Sequence, residues 1–543
     1  MPPVAPPGQQ ATSASAPLIL RFLPSLTDLA FLLPALLVFG VAGGAPYLLR
    51  DSDTGWHIRA GEWILRNGRL PDRDPFSFTK PDAPWFAFEW LWEVICAWIH
   101  RWSGLPGVVL LSLLLLSLTS ALLFRLVRRK CHNDFIALAM AVLATVQCSL
   151  HWLARPHLFT VLMFVVFLSV LDRLDRKFTR LWMALPPLCV LWTNVHGGFL
   201  ASFVLIGCYA AGDLLRGIVE PAAYDRVQAV RRAGRFFLIG GICGLATLLN
   251  PYGFRLHSHL WRLANDPQQK AFILEWQPFR FQSPEAVLVE LLLLLGAFGA
   301  FQCLRRKEFA PALVFVAWGH LGLASQRHLE LFACVAAPLA AAAVGELLAG
   351  LQGAPVAGYV RRAAEKLANA GAEFRATDRA WRLHVVSALG LAGIAALLLT
   401  PTPRPPFRSE FNSRQFPVRA VEQLGRSVLT RRVFSTDQWG GYLLYRLYPP
   451  TRVFFDGRSD FYGGQFVQSY VDTVQVKPGW EEHLAHFAIE AILLPVALPL
   501  VGALKESGRW KVVYDDGTAI VLQPNRPPPL PGGVAPIARS GSL

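Results

Sequence analysis

Two aspartates separated by one residue, Asp51 and Asp53, stand directly after the first long apolar segment of the chain, with His57 close behind. Ionisable residues at membrane depth are costly and usually functional, and the argument applies less strongly at a boundary position such as this one. Carboxylate oxygens at this spacing could bind a divalent cation, or one acid could act as a general base that deprotonates an acceptor hydroxyl. A third interpretation, solvated acids that end a helix, also stays open.

Further polar clusters could bind a substrate. The guanidinium of Arg155 suits a phosphate because its planar fork pairs with two phosphate oxygens, although an arginine reaching the lipid headgroups would give the same pattern. His196 precedes two glycines that would let a ligand approach closely. The catalytic candidates are Asp53 and Asp51, and the substrate-binding candidates are His57, Glu89, Arg155, His157, Asn194, His196, Glu275, Arg327 and His328. No His-Glu-x-x-His motif occurs, so a metal site built from histidines is not indicated.

The composition is that of an integral membrane protein. Of the 543 residues, 53% are hydrophobic and 16% are charged, whereas soluble domains carry about 25% charged residues. The net charge of +15 comes from short basic runs between apolar segments, such as 125–130 and 305–307. Such runs orient membrane helices because they are retained in the cytoplasm, so the charge does not indicate a nucleic-acid partner. None of the eight cysteines forms a Cys-x-x-Cys pair, so neither a disulfide framework nor a structural zinc is expected.

Apolar length predicts an α-helical polytopic domain over residues 27–401, with about eleven transmembrane helices. The predicted spans are 27–49, 106–127, 134–153, 158–172, 181–195, 198–216, 236–249, 286–303, 309–326, 329–350 and 384–401. All basic runs then fall on the cytoplasmic side with the N-terminus, and the C-terminal region lies outside. The polar clusters share the outer side with the loop that begins at Asp51. Their position at one water–lipid boundary indicates a lipid-linked or membrane-delivered substrate.

The first outer loop and the C-terminal region are predicted to carry structure of their own. Residues 50–105 contain two Trp-rich amphipathic stretches, which favour helices lying in the membrane interface; two helices packed on the bundle for structure alone are the alternative. Residues 402–525 alternate β-like runs (432–434, 452–455, 491–494 and 510–514) with helical ones, which predicts a small extracytoplasmic α/β domain. The two ends, 1–26 and 526–543, are expected to be disordered tails.

The order of these features resembles the GT-C superfamily of membrane glycosyltransferases, in which a first span, acids and a long outer loop precede many spans and an outer C-terminal domain. The run from Asp51 to Ile64, continued by residues 74–79, is similar to a poorly characterised bacterial group assigned to this superfamily. Other segments that look like those of the same group are His196-Gly197-Gly198, Asn250-Pro251-Tyr252-Gly253, Glu275-Trp276-Gln277-Pro278, Trp439-Gly440-Gly441-Tyr442 and Asp456-Gly457-Arg458.

The resemblance implies a transferase that uses a polyprenyl-phosphate-linked sugar donor, with an acid of the first outer loop as the base. In this sequence that acid is Asp53 or Asp51, and Asp53 is favoured because it lies nearer the interfacial helix. The residues expected to hold the donor phosphate, by their charge, are Arg155, His157, Arg327 and His328. Members often show two adjacent acids, whereas a serine separates the two aspartates here. This departure leaves open which acid acts and whether a divalent cation at Asp51 and Asp53 is needed.

The predicted reaction is an inverting transfer of a hexosyl or pentosyl group to a lipid, glycan or protein acceptor in a bacterial plasma membrane. Two other functions remain open. A transporter or flippase of lipid-linked glycans would need a second polar opening on the cytoplasmic side, where only basic loops occur, and inverted repeats are not evident. A non-catalytic membrane scaffold would use its C-terminal domain to bind a partner.

Overall fold

A computed structural model describes residues 21–220, 226–378, 382–429 and 432–526. Most of each end that is expected to be disordered (1–20 and 527–543) lies outside the described residues. The described part is mostly helical, as the sequence predicts.

The membrane domain is built mainly from helices. Its helices are α1 (Leu26–Gly40), α2 (Asp53–Asn67), α3 (Trp90–Lys130), α4 (Asp134–Ser149), α5 (His157–Arg176), α6 (Leu185–Val195), α7 (Ala201–Val219), α8 (Arg226–Ala246), α9 (Phe254–Asn265), α10 (Pro267–Phe272), α11 (Ala286–Arg305), α12 (Phe309–Ala324), α13 (Leu329–Gly353), α14 (Gly358–Asp378) and α15 (Val385–Leu398). Single 3-10 turns, among them Gly197–Leu200 and Gln326–His328, precede α7 and α13.

Fewer helices have the length and hydropathy of a membrane span than the eleven that the sequence predicts. Within the described ranges, five segments are long and apolar enough to span a membrane: Trp90–Lys130, His157–Arg176, Gly197–Val219, Ala286–Arg305 and Gln326–Gly353. Helices α1, α4, α12 and α15 are apolar but shorter. Each of the eleven predicted spans overlaps an observed helix. The count of eleven crossings is nevertheless not confirmed, because the other six helices fall short in length or hydropathy.

A buried aspartate joins the first and last helices of this domain. Ser25 and Asp28 cap the start of α1 reciprocally, each side chain accepting from the backbone of the other residue. Asp28 Oδ1 also accepts from Ser387 Oγ of α15 at 2.6 Å and lies 3.1 Å from His384 Nδ1. Since a buried carboxylate needs such partners, this network fixes α1 against α15.

The first outer loop forms two helical stretches, as the sequence predicts. Helix α2 ends at Gly68, whose φ of +64° gives the left-handed C-cap that glycine favours. Helix α3 kinks at Gly104, where φ is +60°, so its first part is separate from the long span that follows. The two stretches pack tightly, because a Cβ atom at Gly61 would lie 1.9 Å from the carbonyl oxygen of Glu93. That they lie in the membrane interface stays a prediction.

The C-terminal region is a small α/β unit. Its elements are α16 (Val418–Val428), β1 (Val433–Ser435), α17 (Asp437–Leu447), α18 (Ser459–Tyr462), α19 (Gly464–Val474), α20 (Trp480–His486), β2 (Ala491–Pro495), α21 (Pro499–Glu506), β3 (Trp510–Asp515) and β4 (Ala519–Pro524). The strand order is β1-β2-β4-β3, with β1 parallel to β2 and the other two pairs antiparallel. Phe434, Ile492 and Leu522 are among the buried side chains of its core.

The predicted β run at 452–455 is not a strand of this sheet. Val453 forms an isolated bridge with Ser77 of the first outer loop instead. Its amide donates to the Phe76 carbonyl at 2.9 Å, and its own carbonyl accepts from Phe78 N at 3.1 Å. The run is extended because it pairs with the loop, and β4, which the sequence did not predict, completes the sheet.

A buried ion pair fastens the C-terminal unit to the first outer loop. Arg458 Nη1 donates to Asp74 Oδ1 at 2.8 Å. The Nε and Nη2 atoms of the same side chain donate to the two carboxylate oxygens of Asp456 at 2.8 and 2.7 Å. All three residues are buried, and the Trp85 ring centre lies 4.6 Å from the guanidinium carbon. These contacts hold the segment 456–458 beside the start of α2.

Candidate functional site

One guanidinium forms ion pairs with acids from separate parts of the chain. Arg155 lies in the turn between α4 and α5, and its Nη1 is 3.0 Å from Asp51 Oδ2 and 2.8 Å from Glu275 Oε1. Its Nη2 is 3.1 Å from Asp53 Oδ2. Hydrogen bonds between ionised groups are the strong ones, and their geometry is specific. We call these four residues the Arg155 cluster.

Backbone contacts fix the turn that carries Arg155. The amide of Ala154 donates to the Leu48 carbonyl at 2.8 Å, and the Ala154 carbonyl accepts from Thr54 Oγ1 of α2 at 3.1 Å. Helix α5 begins directly after Pro156, whose fixed φ suits the start of a helix. The turn is therefore bound to the same segment, 48–54, that supplies two of the acids.

Asp53 is a buried acid whose pKa is raised into the neutral range. Burial, and next the negative charge of Asp51, raise the pKa of Asp53 to about 8, although the positive charge of Arg155 acts in the opposite direction. Asp51 Oδ1 accepts from the backbone N–H of Asp53 at 2.8 Å. The other oxygen of Asp53 faces the C-terminal unit, since a Cβ atom at Gly457 would lie 1.8 Å from Asp53 Oδ1. A carboxyl group with a pKa near the working pH suits a general base.

Arg155 and Glu275 keep their charges. Burial disfavours the ionised form of both, but the positive charge of Arg155 lowers the pKa of Glu275 below its ordinary value. The negative charges of Glu275, Asp53 and Asp51 in turn raise the pKa of Arg155 well above its ordinary value. His151 Nε2 lies 3.7 Å from Glu275 Oε1. The centre of the cluster is therefore a permanent pair of opposite charges.

A second cluster surrounds Glu89, at the start of α3. Glu89 Oε1 lies 3.5 Å from His196 Nε2, and Glu89 Oε2 lies 3.9 Å from His57 Nε2. Burial raises the pKa of Glu89 to about 8 and lowers that of His196 to about 3. His196 Nδ1 accepts from the Gly198 amide at 3.1 Å and lies 2.7 Å from Thr160 Oγ1. At neutral pH this cluster consequently holds a protonated glutamic acid next to a neutral histidine that carries its proton on Nε2.

Arg327 is the second arginine of the site. Its guanidinium carbon lies 4.9 Å from the ring centre of Trp276, and it interacts electrostatically with Glu275, Arg155 and Glu89. In the described part of the chain, Arg327 has no carboxylate oxygen within 4.0 Å. Its hydrogen-bond donors are therefore available to an anion.

Asn194 uses its amide group within the fold. Its Oδ1 accepts from Trp90 Nε1 at 2.9 Å, and its Nδ2 donates to the carbonyls of Val190 and Leu249 at 2.8 and 3.0 Å. These bonds join the end of α6 to the start of α3 and to the segment after α8.

The other two candidate histidines have different neighbours. His157 Nε2 is 3.0 Å from the His151 carbonyl oxygen, to which it donates. The His328 ring centre is 6.1 Å from that of Trp318. Substrate binding by these two residues and by Asn194 stays a prediction.

Sequence reasoning did not find three neighbours of these clusters: His151, Thr160 and Gly457. Thr160 accepts from Trp192 Nε1 at 2.8 Å and thereby orients His196, but a threonine inside an apolar run gives no signal of this kind. Gly457 belongs to a segment that does stand out in the sequence. Its contact with Asp53 depends on how the C-terminal unit docks, which local pattern does not reveal.

The carboxylates of the Arg155 cluster do not present an open metal site. Asp51, Asp53 and Glu275 each direct an oxygen at the guanidinium. Over the residues that the structure describes, no group of three or more His, Cys, Asp or Glu side chains is arranged to hold a metal ion.

An apolar groove opens beside the second cluster. It has a volume of about 610 Å³, and its lining includes Trp90, Leu91, Val190, Leu191, Leu248 and Pro251. A neighbouring groove of about 460 Å³ shares Trp90 and Pro251 and continues to Ile64. Because Trp90 adjoins Glu89 in the chain, the groove reaches the edge of the polar site.

No family model and no curated protein matches the sequence. The fold is similar to that of the archaeal oligosaccharyltransferase AglB from Archaeoglobus fulgidus, solved in complex with an inhibitory peptide and a dolichol-phosphate, with a TM-score of 0.53. The two chains are 14% identical, and the match covers 87% of this chain and 69% of AglB. A second structure, the Archaeoglobus fulgidus oligosaccharyltransferase tethered with an acceptor peptide, matches with a TM-score of 0.52 and 12% identity over 87% of this chain and 68% of the other.

These comparisons confirm the predicted resemblance at the level of the fold. The chain therefore has a fold similar to that of the archaeal oligosaccharyltransferase. Together with its long apolar helices, this fold makes the chain an integral membrane protein.

Proposed function

We propose that this protein is a membrane glycosyltransferase that moves a sugar from a polyprenyl-phosphate donor to an acceptor hydroxyl on the extracytoplasmic side. The observation that carries the proposal is the convergence of Asp51, Asp53 and Glu275 on Arg155 within a GT-C-like fold. The AglB structure that contains a dolichol-phosphate supports a lipid-phosphate donor. In the same proposal the membrane is a bacterial plasma membrane, the N-terminus is cytoplasmic and the C-terminal unit is outside.

The donor phosphate binds at Arg327 in this proposal. Arg155 already has three carboxylate partners, whereas Arg327 has none within 4.0 Å among the described residues. A phosphate needs a guanidinium with unshared donors for bidentate binding. Of the four residues that the sequence suggests for this purpose, Arg327 is therefore favoured over Arg155, His157 and His328.

The prenyl chain occupies the apolar groove beside Trp90. A hydrocarbon chain gains free energy by leaving water in proportion to its buried apolar area, and the lining of the groove is mostly aliphatic and aromatic. From this groove the phosphate end of the donor would pass Glu89 and reach Arg327, which interacts electrostatically with Glu89.

Asp53 acts as the base. Its ionised carboxylate takes the proton of the acceptor hydroxyl while the hydroxyl oxygen attacks the anomeric carbon from the face opposite the phosphate. The bond between the anomeric carbon and the phosphate oxygen breaks, and the phosphate leaves with the bonding electrons. Arg327 stabilises the negative charge that develops on it. Protonated Glu89 can donate a hydrogen bond to the sugar, and the transfer inverts the anomeric configuration.

Two measurements test this function. The purified protein should bind a polyprenyl-phosphate saturably, and Arg327→Ala should weaken this binding at least about tenfold, as expected for the loss of a charged hydrogen bond. Transfer from polyprenyl-phosphate sugars should be abolished in Asp53→Asn, with no change in gel-filtration behaviour. Binding no stronger than to a generic anionic lipid, or full activity in both Asp51→Asn and Asp53→Asn, would contradict the proposal.

A further inference from the structure

The Arg155 cluster has the composition of a cation site. Three carboxylates that approach one another need a positive charge between them, because like charges held close in a confined site repel strongly. Oxygen-rich groups of this kind usually hold Ca²⁺, Mg²⁺ or Mn²⁺. Here the positive charge is a side chain of the protein itself.

The guanidinium fills the position at which the carboxylates meet. Its Nη1 is shared by Asp51 Oδ2 and Glu275 Oε1 at 3.0 and 2.8 Å, and its Nη2 lies 3.1 Å from Asp53 Oδ2. A metal ion would need the same oxygens at roughly 2.0–2.6 Å. It could bind there only after the guanidinium had moved away.

The other oxygens of the two aspartates are also engaged. Asp51 Oδ1 accepts from the Asp53 amide at 2.8 Å. Asp53 Oδ1 is covered by the C-terminal unit, with so little space that a Cβ atom at Gly457 would lie 1.8 Å away. Neither aspartate therefore offers an open pair of oxygens to an additional ion.

We propose that Arg155 is the resident cation of this site and takes the place of a divalent metal ion between Asp51, Asp53 and Glu275. The protein consequently binds no divalent cation at these acids, and removal of the guanidinium converts them into a divalent-cation site. The consequence for catalysis, a transfer reaction that resists chelators, rests on the proposed function. The cation site itself does not.

The deciding experiment is a titration of the purified full-length protein with Mn²⁺, read from the loss of the electron paramagnetic resonance signal of free Mn²⁺. The wild type should bind no more Mn²⁺ than Asp53→Asn does. Arg155→Ala should gain one site per chain, at least about tenfold tighter than any binding by the wild type, within the affinity range of oxygen-ligated sites. The double variant Arg155→Ala/Asp53→Asn should lose that site.

Two matched variants separate the effect of opening the site from a general effect of charge. Arg327→Ala removes one positive charge from the same region without freeing the three carboxylates, so it should gain no site. Arg155→Lys keeps a positive charge at the cluster and should also gain none. Gel filtration and thermal melting establish that each variant is folded.

Several results would overturn the inference. One is a stoichiometric Mn²⁺ site in the wild type that Asp53→Asn removes; this measurement decides even if Arg155→Ala does not fold. Another is a folded Arg155→Ala variant that binds no more Mn²⁺ than Arg327→Ala. A protein without transferase activity would contradict the proposed function and leave the Mn²⁺ result valid, whereas transfer abolished by a chelator would contradict only the inference.

Discussion

Gly457 of the C-terminal unit lies directly against Asp53 of the first outer loop. A Cβ atom at this glycine would be 1.8 Å from Asp53 Oδ1 and 2.7 Å from its Cγ. The backbone of the C-terminal unit is thus one wall of the Arg155 cluster, and it can approach the carboxylate this closely only because residue 457 has no side chain.

The substitution Gly457→Ala should therefore damage the site more than the fold. The added methyl group must displace either the Asp53 carboxylate or the segment 456–458, and a misplacement of about 1 Å at a reacting group can lower the rate about 100-fold. We expect sugar transfer to fall by about that factor in an assay with a polyprenyl-phosphate sugar.

Gly502→Ala is the matched control. Gly502 lies in α21 and has nothing within 4 Å of its would-be Cβ atom, so this variant should keep full activity and gain about 0.5–1 kcal/mol of stability. Equal activity of Gly457→Ala and Gly502→Ala would contradict the placement of Asp53 in the reaction.

The rate of transfer should depend on pH through Asp53. Its pKa is raised to about 8 by burial and by Asp51, and only the ionised carboxylate can accept a proton. The value of kcat/KM should therefore rise about tenfold per pH unit below pH 8 and level off above it. In Asp51→Asn the midpoint should move to lower pH, because the neighbouring charge is removed while the acceptor for the Asp53 amide is kept. An unchanged midpoint in that variant would assign the titration to another group.

Glu89 should make the protein less stable as the pH rises. Burial raises its pKa in the folded state from an ordinary value of 4.5 to about 8. The contribution of the protonated carboxyl group is complete below pH 4.5 and is lost as the pH rises through about 8. Asp53 adds a slope of the same sign. The melting temperature in detergent, followed by tryptophan fluorescence from pH 6.5 to 9, above the ordinary pKa of the buried histidines, should thus fall, and less steeply in Glu89→Gln.

The exposed Glu308 provides the control for this slope. Its replacement by glutamine should leave the pH dependence of the melting temperature as in the wild type. Parallel curves for Glu89→Gln and Glu308→Gln would show that Glu89 is already ionised in the folded protein.

The acids and arginines of the site could be predicted from the sequence because charge at the end of an apolar run is visible without a structure. The basic runs fix which loops share a side, and this reasoning brought Asp51, Arg155 and Glu275 to one boundary. Their pairing could not be predicted. Arg155 is 104 residues from Asp51 and 120 from Glu275, so their contact depends on the packing of the helices between them.

In the C-terminal unit, too, the contacts between distant segments could not be predicted from the sequence. Its strands at 433–435 and 491–495 follow from short apolar runs, but the run at 452–455 has the same character and pairs with Ser77 instead. Strand propensity reports that a segment is extended, not which partner it takes. For this reason neither the contact between the C-terminal unit and the first outer loop nor the approach of Gly457 to Asp53 could be read from the sequence.

The attachment of that unit can be tested at Arg458. Arg458→Met leaves Asp74 and Asp456 buried without their cation, and loss of one partner from a buried ion pair costs about 3–5 kcal/mol. The melting temperature should fall sharply, and transfer should fall with it because Gly457 is no longer held against Asp53. The exposed Arg452 lies in the same unit, and Arg452→Met should change stability by less than about 0.5 kcal/mol.

The double variant Arg458→Met/Asp74→Asn should lose less stability than the sum of its single variants, because side chains 2.8 Å apart are coupled. Additive losses would mean that the two side chains stabilise the protein independently, and that the C-terminal unit is held in place by its other contacts.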